Sequence, residues 1–243
     1  MISILEPNER ADLPTILCLH GAGTNGIIFR LQARMIIRKL STVFRFVFID
    51  APFESVAGPG VYPTYEGIEP YLWWHCDESA AIEFDISPEE IRHRRQIVQK
   101  LLATQLNQTK AVGIMAFSQG ARVATGICLD SVLGKQLRFA ILIAATFPAL
   151  HVDDCGRNSS SCGTKVLSSP VGPSKPIIIP SVHIQGTKDP WKLEGSRLKD
   201  TYFEDSNAEL VSFVGGHAIP VAPRDVEKAV ATILRAWARV QIN

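Results

Sequence analysis

Six largely apolar runs, rich in β-branched and aromatic residues, are spread along the chain and constrain its fold more than any other feature. A run that is apolar throughout, rather than at every second residue, is typical of a strand that is buried on both faces. We predict strands at residues 15–20, 45–53, 111–117, 138–145, 177–186 and 208–215.

Segments with the period of a helix lie between several of these runs, at residues 27–41, 87–102, 119–134 and 222–240. The second segment has clear N-terminal signals. Ser87 can cap the helix, Pro88 suits its first position, and Glu90 completes a capping box. Strands that alternate with helices predict an α/β fold, in which a mainly parallel central sheet carries helices on both faces.

Length and charge limit the kinds of protein that this chain can be. A chain of 243 residues suits a single α/β domain over residues 1–243, with an ample core. The net charge of +1 gives no sign of a nucleic-acid partner. No apolar stretch approaches the roughly 18 residues that a membrane span needs, and the N-terminal apolar run is too short for a signal peptide. We therefore expect a cytoplasmic protein.

The cysteines indicate neither a metal site nor a disulfide framework. Their number is odd and their spacing matches no zinc pattern. They are Cys18, Cys76, Cys128, Cys155 and Cys162. We expect free thiols, although Cys155 and Cys162 share one polar loop and could pair. We also expect no cofactor.

A serine stands where a predicted strand gives way to a predicted helix, in the sequence GIMAFSQGAR at residues 113–122. This is the setting of a nucleophile elbow, a sharp turn that exposes a serine hydroxyl and needs small neighbours. Gly120 is such a neighbour. Ala116 occupies the position where the pattern G-x-S-x-G has its first glycine. Ser118 is either a nucleophile or an ordinary turn residue.

A serine hydroxyl attacks well only when a base takes its proton. In folds that have such an elbow, an Asp or Glu follows the serine along the chain, and the His that serves as the base comes after it. Asp189 and His217 occur in that order, each just after a predicted strand. Because open α/β sheets place their sites at the carboxyl ends of strands, we predict that Ser118, Asp189 and His217 form a catalytic triad.

The loop after the first strand, LHGAGTNGIIF at residues 19–29, suits an oxyanion hole. We predict donors at the backbone N–H groups of Ala22 and Gln119, with Gly23 as an alternative to Ala22. The same loop also contains G-x-G-x-x-G at residues 21–26. With Asp50 after the next strand, it could instead bind a dinucleotide. That alternative leaves Ser118, Asp189 and His217 without a function.

These segments together resemble the fungal serine hydrolase family of α/β-hydrolases. The resemblance is carried by CLHGAGTNGIIFRLQ (18–32), FVFIDAPFESVAGPGVYPTYEG (46–67), YLWW (71–74), AFSQGA (116–121), HIQGTKDP (183–190) and GGHAIP (215–220). It implies a Ser118–Asp189–His217 triad and an esterase or thioesterase activity. The chain is most similar to family members that are encoded in polyketide gene clusters. That similarity implies an acyl substrate presented by an acyl carrier protein.

Two long segments rich in Gly, Pro or Ser, at residues 54–84 and 146–176, could overhang the site. Trp73 and Trp74 belong to the first and either line an acyl pocket or pack the segment onto the core. His20 is either a second base or a residue that shapes the loop. The basic cluster at residues 92–95 is either a docking site for an acidic carrier protein or a solvated helix face.

We therefore expect a serine hydrolase that cleaves an acyl thioester or ester and releases or edits a polyketide chain held on a carrier protein. Two alternatives remain. One is a small-molecule carboxylesterase, or a deacylase of proteins or lipids, that uses the same triad. The other is a catalytically silent hydrolase fold that serves as a binding module.

Overall fold

A computed structural model describes residues 12–74, 86–150, 173 and 175–242. Its strands are β1 (Thr15–Leu19), β2 (Arg45–Ile49), β3 (Phe53–Glu54), β4 (Leu72–Trp73), β5 (Gly113–Phe117), β6 (Phe139–Ile143), β7 (Ser181–Gly186) and β8 (Ala208–Phe213). A six-stranded sheet has the order β2-β1-β5-β6-β7-β8, and every pair of neighbouring strands in it is parallel. A two-stranded antiparallel sheet joins β3 and β4.

Helices cover both faces of the six-stranded sheet, so the predicted α/β fold with a mainly parallel central sheet is confirmed. The helices are α1 (Gly26–Gln32), α2 (Arg34–Leu40), α3 (Pro88–Thr109), α4 (Gln119–Leu129), α5 (Lys192–Tyr202) and α6 (Pro223–Ile242). In the part of the chain that the structure describes, no helix combines the length and the apolar character that crossing a bilayer requires.

Alternate residues of β1 show how the sheet divides the core. Leu17 and Leu19 point into a cluster that includes side chains of α3, α4 and α5. Ile16 and Cys18 point into a second cluster that includes side chains of α1, α2 and α6. All four are fully buried, which is why the strand is apolar at every position and not only at every second one.

The start of α3 has the predicted cap and proline, whereas the Glu90 carboxylate, predicted to complete a capping box, pairs with Arg94. The Ser87 hydroxyl oxygen accepts a hydrogen bond from the N–H of Glu90 at 3.2 Å, with Pro88 at the first helical position. The helix runs to Thr109, beyond the predicted end, and closes at Lys110 in the left-handed conformation with φ 52°. The longer helix buries Leu106 as well as Ile91, Val98 and Leu102.

Several element predictions are wrong in detail. The helix predicted over 119–134 ends at Leu129, and the strand predicted over 45–53 ends at Ile49. The helix predicted over 27–41 is two helices, because the chain bends at the fully buried Ala33. The bend lets both short helices bury apolar side chains. The strand predicted from residue 177 begins at Ser181, just after Pro180, whose ring nitrogen has no proton to donate to a neighbouring strand.

Of the five cysteines, Cys18 and Cys128 lie in the described part of the chain and both are free thiols. Burial raises the pKa of Cys128 to about 12 and that of Cys18 well above its ordinary value. Neither thiol is therefore a thiolate at neutral pH. The proposed pair of Cys155 and Cys162 lies outside the described residues, as does Cys76.

A histidine in the core makes the stability of the fold depend on pH. His183 lies on β7, is buried, and its Nε2 is 3.1 Å from the Ser181 hydroxyl oxygen. Burial lowers the pKa of its ring to about 3. In the unfolded chain the same ring titrates near pH 6.5, so the unfolded state binds a proton over a range of pH in which the folded state does not.

We expect His183 to leave the unfolding free energy unchanged above about pH 6.5. Between pH 6.5 and 3, this ring should lower the unfolding free energy by about 1.4 kcal/mol for each unit by which the pH falls. His183→Leu should reduce that slope by the same amount, as measured by urea denaturation between pH 4.5 and 6.5. His93→Gln, at an exposed position on α3, is the matched control. A slope that is unchanged in His183→Leu would contradict the assignment.

Candidate active site

Ser118 lies between the end of β5 and the start of α4, with φ 52° and ψ −119°. A residue with a side chain rarely adopts positive φ, and such a conformation costs about 1–3 kcal/mol. Two hydrogen bonds hold it there. The Ser118 N–H donates to the Ile143 carbonyl at 3.0 Å, and the Ser118 carbonyl accepts from the Ala121 N–H at 2.9 Å. The turn therefore presents the hydroxyl group at the carboxyl edge of the sheet.

The elbow requires a glycine after the serine. A Cβ atom at Gly120 would lie 2.5 Å from the carbonyl oxygens of both Leu19 and His20, so α4 can pass β1 only if this residue has no side chain. Ala116, in contrast, belongs to the regular strand β5 and is fully buried in the core. Because the positive φ falls on Ser118 and not on Ala116, an alanine is compatible with the turn.

Three side chains from three different loops form one hydrogen-bonded chain. His217 Nε2 lies 2.8 Å from Ser118 Oγ, and His217 Nδ1 lies 2.9 Å from Asp189 Oδ2. The Asp189 side chain is 1% exposed, and its other oxygen accepts from the Trp191 N–H at 2.8 Å. A hydrogen-bond donor at each of its two oxygens fixes the carboxylate, which in turn orients the imidazole toward the serine hydroxyl.

Two aromatic rings flank the imidazole. Trp191 meets His217 edge to face at a centroid separation of 4.5 Å, and Phe117 lies 5.2 Å from it. Sequence reasoning missed Trp191, although the residue stands two positions after Asp189 and could have been noticed there. It both donates to the carboxylate and packs against the ring that the carboxylate orients.

The two predicted oxyanion donors lie in the same cleft as Ser118. Gln119 is the first residue of α4, where a backbone N–H has no partner within the helix. Gly23, the alternative to Ala22, is already occupied, because its N–H donates to the Leu72 carbonyl at 3.0 Å. Among the described residues, the N–H groups of Ala22 and Gln119 have no such partner.

His20 shapes the loop and is not a second base. Its Nε2 accepts from the Ala51 N–H at 2.9 Å, and its Nδ1 lies 2.7 Å from the Gly21 carbonyl oxygen. These contacts fix the neutral ring with its proton on Nδ1, and burial lowers its pKa to about 4. Both nitrogens are therefore engaged within the protein, and the ring ties the loop that contains Ala22 to the end of β2.

The N-terminus of α1 is filled by the protein's own side chains. Asp50 Oδ1 accepts from the Gly26 N–H at 2.7 Å, and Asn25 Oδ1 accepts from the Ile28 N–H at 2.9 Å. A dinucleotide would need these donors for its phosphates and Asp50 for its ribose. The alternative of a dinucleotide site is therefore wrong for this loop.

The suggestion that Trp74 lines an acyl pocket is also at odds with the structure. The residue is fully buried. Its backbone N–H donates to Gln119 Oε1 at 3.0 Å, and its indole N–H donates to the His20 carbonyl at 2.8 Å. Trp73 is half-buried on β4, and neither tryptophan lines the cleft around Ser118. Trp74 instead binds the start of α4 at Gln119 and the loop after β1 at His20.

The cleft around Ser118 has a volume of about 540 Å³. Apolar side chains in its lining are those of Phe117, Trp191, Ile219 and Val221. The lining also includes Pro59, Gly60, Thr64, Tyr65 and, at the end of α1, Gln32. This volume is typical of a site that encloses a small molecule or the acyl part of a larger one.

Comparison with known proteins identifies the family. Residues 11–229 match the family model described as serine hydrolase (FSH1). The chain belongs to this serine hydrolase family. It is 47% identical to the thioesterase FSL2 of Gibberella zeae, over 94% of each chain. It is 30% identical to the esterase pigG of Monascus ruber, over 91% of this chain and 90% of that one.

Solved structures agree on the fold of this family member. The Bacillus cereus carboxylesterase matches with a TM-score of 0.55 and 18% identity, over 93% of this chain and 90% of its own. SOBER1 of Arabidopsis thaliana matches with a TM-score of 0.52 and 17% identity, over 92% of this chain and 99% of its own. The chain is thus an α/β-hydrolase, and membership of the family makes it an enzyme of the esterase and thioesterase type.

Proposed function

We propose that Ser118 is the nucleophile of this hydrolase, with His217 as its base and Asp189 as the residue that orients the base. The observation that carries the proposal is the continuous hydrogen-bonded chain, with 2.8 Å between His217 Nε2 and Ser118 Oγ and 2.9 Å between His217 Nδ1 and Asp189 Oδ2. This is the geometry that activates a serine hydroxyl for acyl transfer.

In the first half of the reaction, Ser118 Oγ attacks the acyl carbonyl carbon while His217 Nε2 takes the hydroxyl proton. The carbonyl oxygen becomes an oxyanion, for which the N–H groups of Ala22 and Gln119 are the proposed donors. When the tetrahedral intermediate collapses, the bond to the leaving group breaks. The proton on His217 then passes to the departing thiolate or alkoxide, and the acyl group stays on Ser118.

In the second half, a water molecule attacks the ester carbon of acyl-Ser118 and His217 takes one of its protons. Collapse releases the carboxylic acid, and His217 returns the proton to Ser118 Oγ. The Trp191 ring packs edge to face against the imidazole and helps to hold it in place. The Asp189 carboxylate stabilises the imidazolium that forms in each half.

The proposed substrate is an acyl thioester, and in particular a polyketide chain on an acyl carrier protein. Support comes from the name of one relative, which is a thioesterase, and from the resemblance to members encoded in polyketide clusters. The basic cluster at residues 92–95 adds little to this proposal. Arg92 pairs with Glu89 at 2.8 Å and Arg94 pairs with Glu90 at 2.8 Å, so their charge is largely neutralised on α3 itself.

Matched substrates test this proposal. An octanoyl thioester of N-acetylcysteamine and the corresponding octanoyl oxyester form the same acyl-enzyme on Ser118, so differences between them report acylation and binding. We expect a higher kcat/KM for the thioester, and a lower KM still when the chain is loaded on an acyl carrier protein. A higher kcat/KM for the oxyester would favour a carboxylesterase. Equal KM values for the free and carrier-bound thioesters would remove the carrier protein from the proposal.

A further inference from the structure

The cleft that contains Ser118 has a cationic side chain, that of Arg34, in its wall. No aspartate or glutamate from the described ranges lines it, since Asp189 lies behind His217 with only 1% of its side chain exposed. A cleft with a cationic side chain and no carboxylate in its wall attracts anions.

Arg34 is held so that its guanidinium remains available. It is the first residue of α2, and its Nη1 donates to the Leu31 carbonyl at 2.9 Å. Within residues 12–74, 86–150 and 175–242, no carboxylate pairs with it. The hydrogen bond fixes the side chain at the junction of α1 and α2 and leaves several N–H groups free to donate to a ligand.

Gln32, two residues earlier, also lines the cleft. Its Oε1 is buried and has no hydrogen-bond partner among the residues that the structure describes. A buried amide oxygen that has no hydrogen-bond donor beside it costs free energy. The oxygen and nitrogen of a glutamine amide are interchangeable in shape, so the amide can turn to donate its N–H to an acceptor on a ligand.

We propose that Gln32 and Arg34 form a binding site for an anionic oxygen group, a carboxylate or a phosphate, on the substrate that Ser118 hydrolyses. Arg34 donates to the anion and Gln32 adds a neutral donor beside it. This inference rests on the proposed function, because it assigns part of the substrate whose acyl bond that function cleaves.

Two parts of a thioester substrate can supply such a group. One is a carboxylate at the far end of the acyl chain, and the other is the phosphate of a phosphopantetheine leaving group. Two pairs of substrates separate them. Octanoyl and 7-carboxyheptanoyl thioesters of N-acetylcysteamine differ only in the terminal carboxylate. Octanoyl thioesters of pantetheine and of phosphopantetheine differ only in the phosphate.

We expect the anionic member of one pair to have a kcat/KM at least about tenfold higher than its neutral partner, since hydrogen bonds to charged groups are the stronger ones. Arg34→Gln and Gln32→Leu should each bring that ratio toward one. Arg38→Gln, one turn further along α2 and outside the cleft, is the matched control and should leave the ratio unchanged.

The pair that shows the preference identifies the source of the anion. Ratios near one in both pairs for the wild type would overturn the proposal. A ratio that survives in Arg34→Gln would also overturn it, because the anion would then be bound elsewhere. Neither result would affect the nucleophile, since hydrolysis of the neutral octanoyl thioester would still depend on Ser118. Loss of the proposed function would instead appear as hydrolysis that persists in Ser118→Ala.

Discussion

Ser118→Ala is expected to lower kcat by about 10⁴-fold or more on any ester or thioester that the wild type hydrolyses. Without Oγ, His217 has no hydroxyl proton to accept and no acyl-enzyme can form. Rates with a chromogenic octanoyl ester and the octanoyl thioester measure the effect. The rate that remains should come only from the proposed oxyanion donors, the N–H groups of Ala22 and Gln119, and from binding of the substrate in the cleft.

The fold should tolerate this change, because Ser118 is held by its backbone N–H and carbonyl and not by its side chain. Loss of activity with an unchanged urea denaturation midpoint would therefore locate the defect in the chemistry. If Ser118→Ala keeps more than about a hundredth of the wild-type kcat, another residue is the nucleophile.

Asp189→Asn is expected to lower kcat by about 10⁴-fold, the loss known for the equivalent change in a Ser-His-Asp triad. The new amide can donate to His217 Nδ1, which places the imidazole proton on Nε2, opposite Ser118 Oγ. The base then faces the hydroxyl with its proton instead of its lone pair. The amide oxygen can still accept from the Trp191 N–H, so the turn after β7 is retained.

A pH profile adds a readout that a merely structural role for Asp189 would not change. Because the defect lies in the imidazole tautomer, part of the activity should return at high pH, where hydroxide takes the place of the missing base. Asp205→Asn is the matched control, since Asp205 pairs with Lys199 at the surface. An Asp189→Asn variant within about tenfold of the wild type would show that the carboxylate does not orient His217.

The six strands of the large sheet could be found in the sequence because burial makes the inner strands largely apolar. The helix α5, between β7 and β8, was not predicted. The small antiparallel sheet of β3 and β4 could not be found, since each strand has only two residues and carries no period. The bend at Ala33 was equally hidden. No glycine or proline marks it, and its physical basis lies in the core that α1 and α2 share.

The positions of Ser118, Asp189 and His217 were also within reach of sequence reasoning, because the carboxyl ends of parallel strands meet at one edge of the sheet. Supporting contacts were harder to predict. Trp74 contacts Gln119 and the His20 carbonyl through a packing arrangement across more than 40 residues of chain. An aromatic pair next to a long loop fits a cleft wall and a core equally well, and only the three-dimensional structure distinguishes them.

Labelling with a fluorophosphonate tests the central claim most directly. An activated serine oxygen displaces fluoride from phosphorus and stays covalently bonded to it, whereas an ordinary serine does not react. Trypsin releases residues 111–122 as one peptide, AVGIMAFSQGAR, in which Ser118 is the only hydroxyl-bearing residue. We predict stoichiometric labelling of this peptide in the wild type and none in Ser118→Ala. A label on a different peptide, or an unlabelled wild type that still hydrolyses esters, would contradict the account.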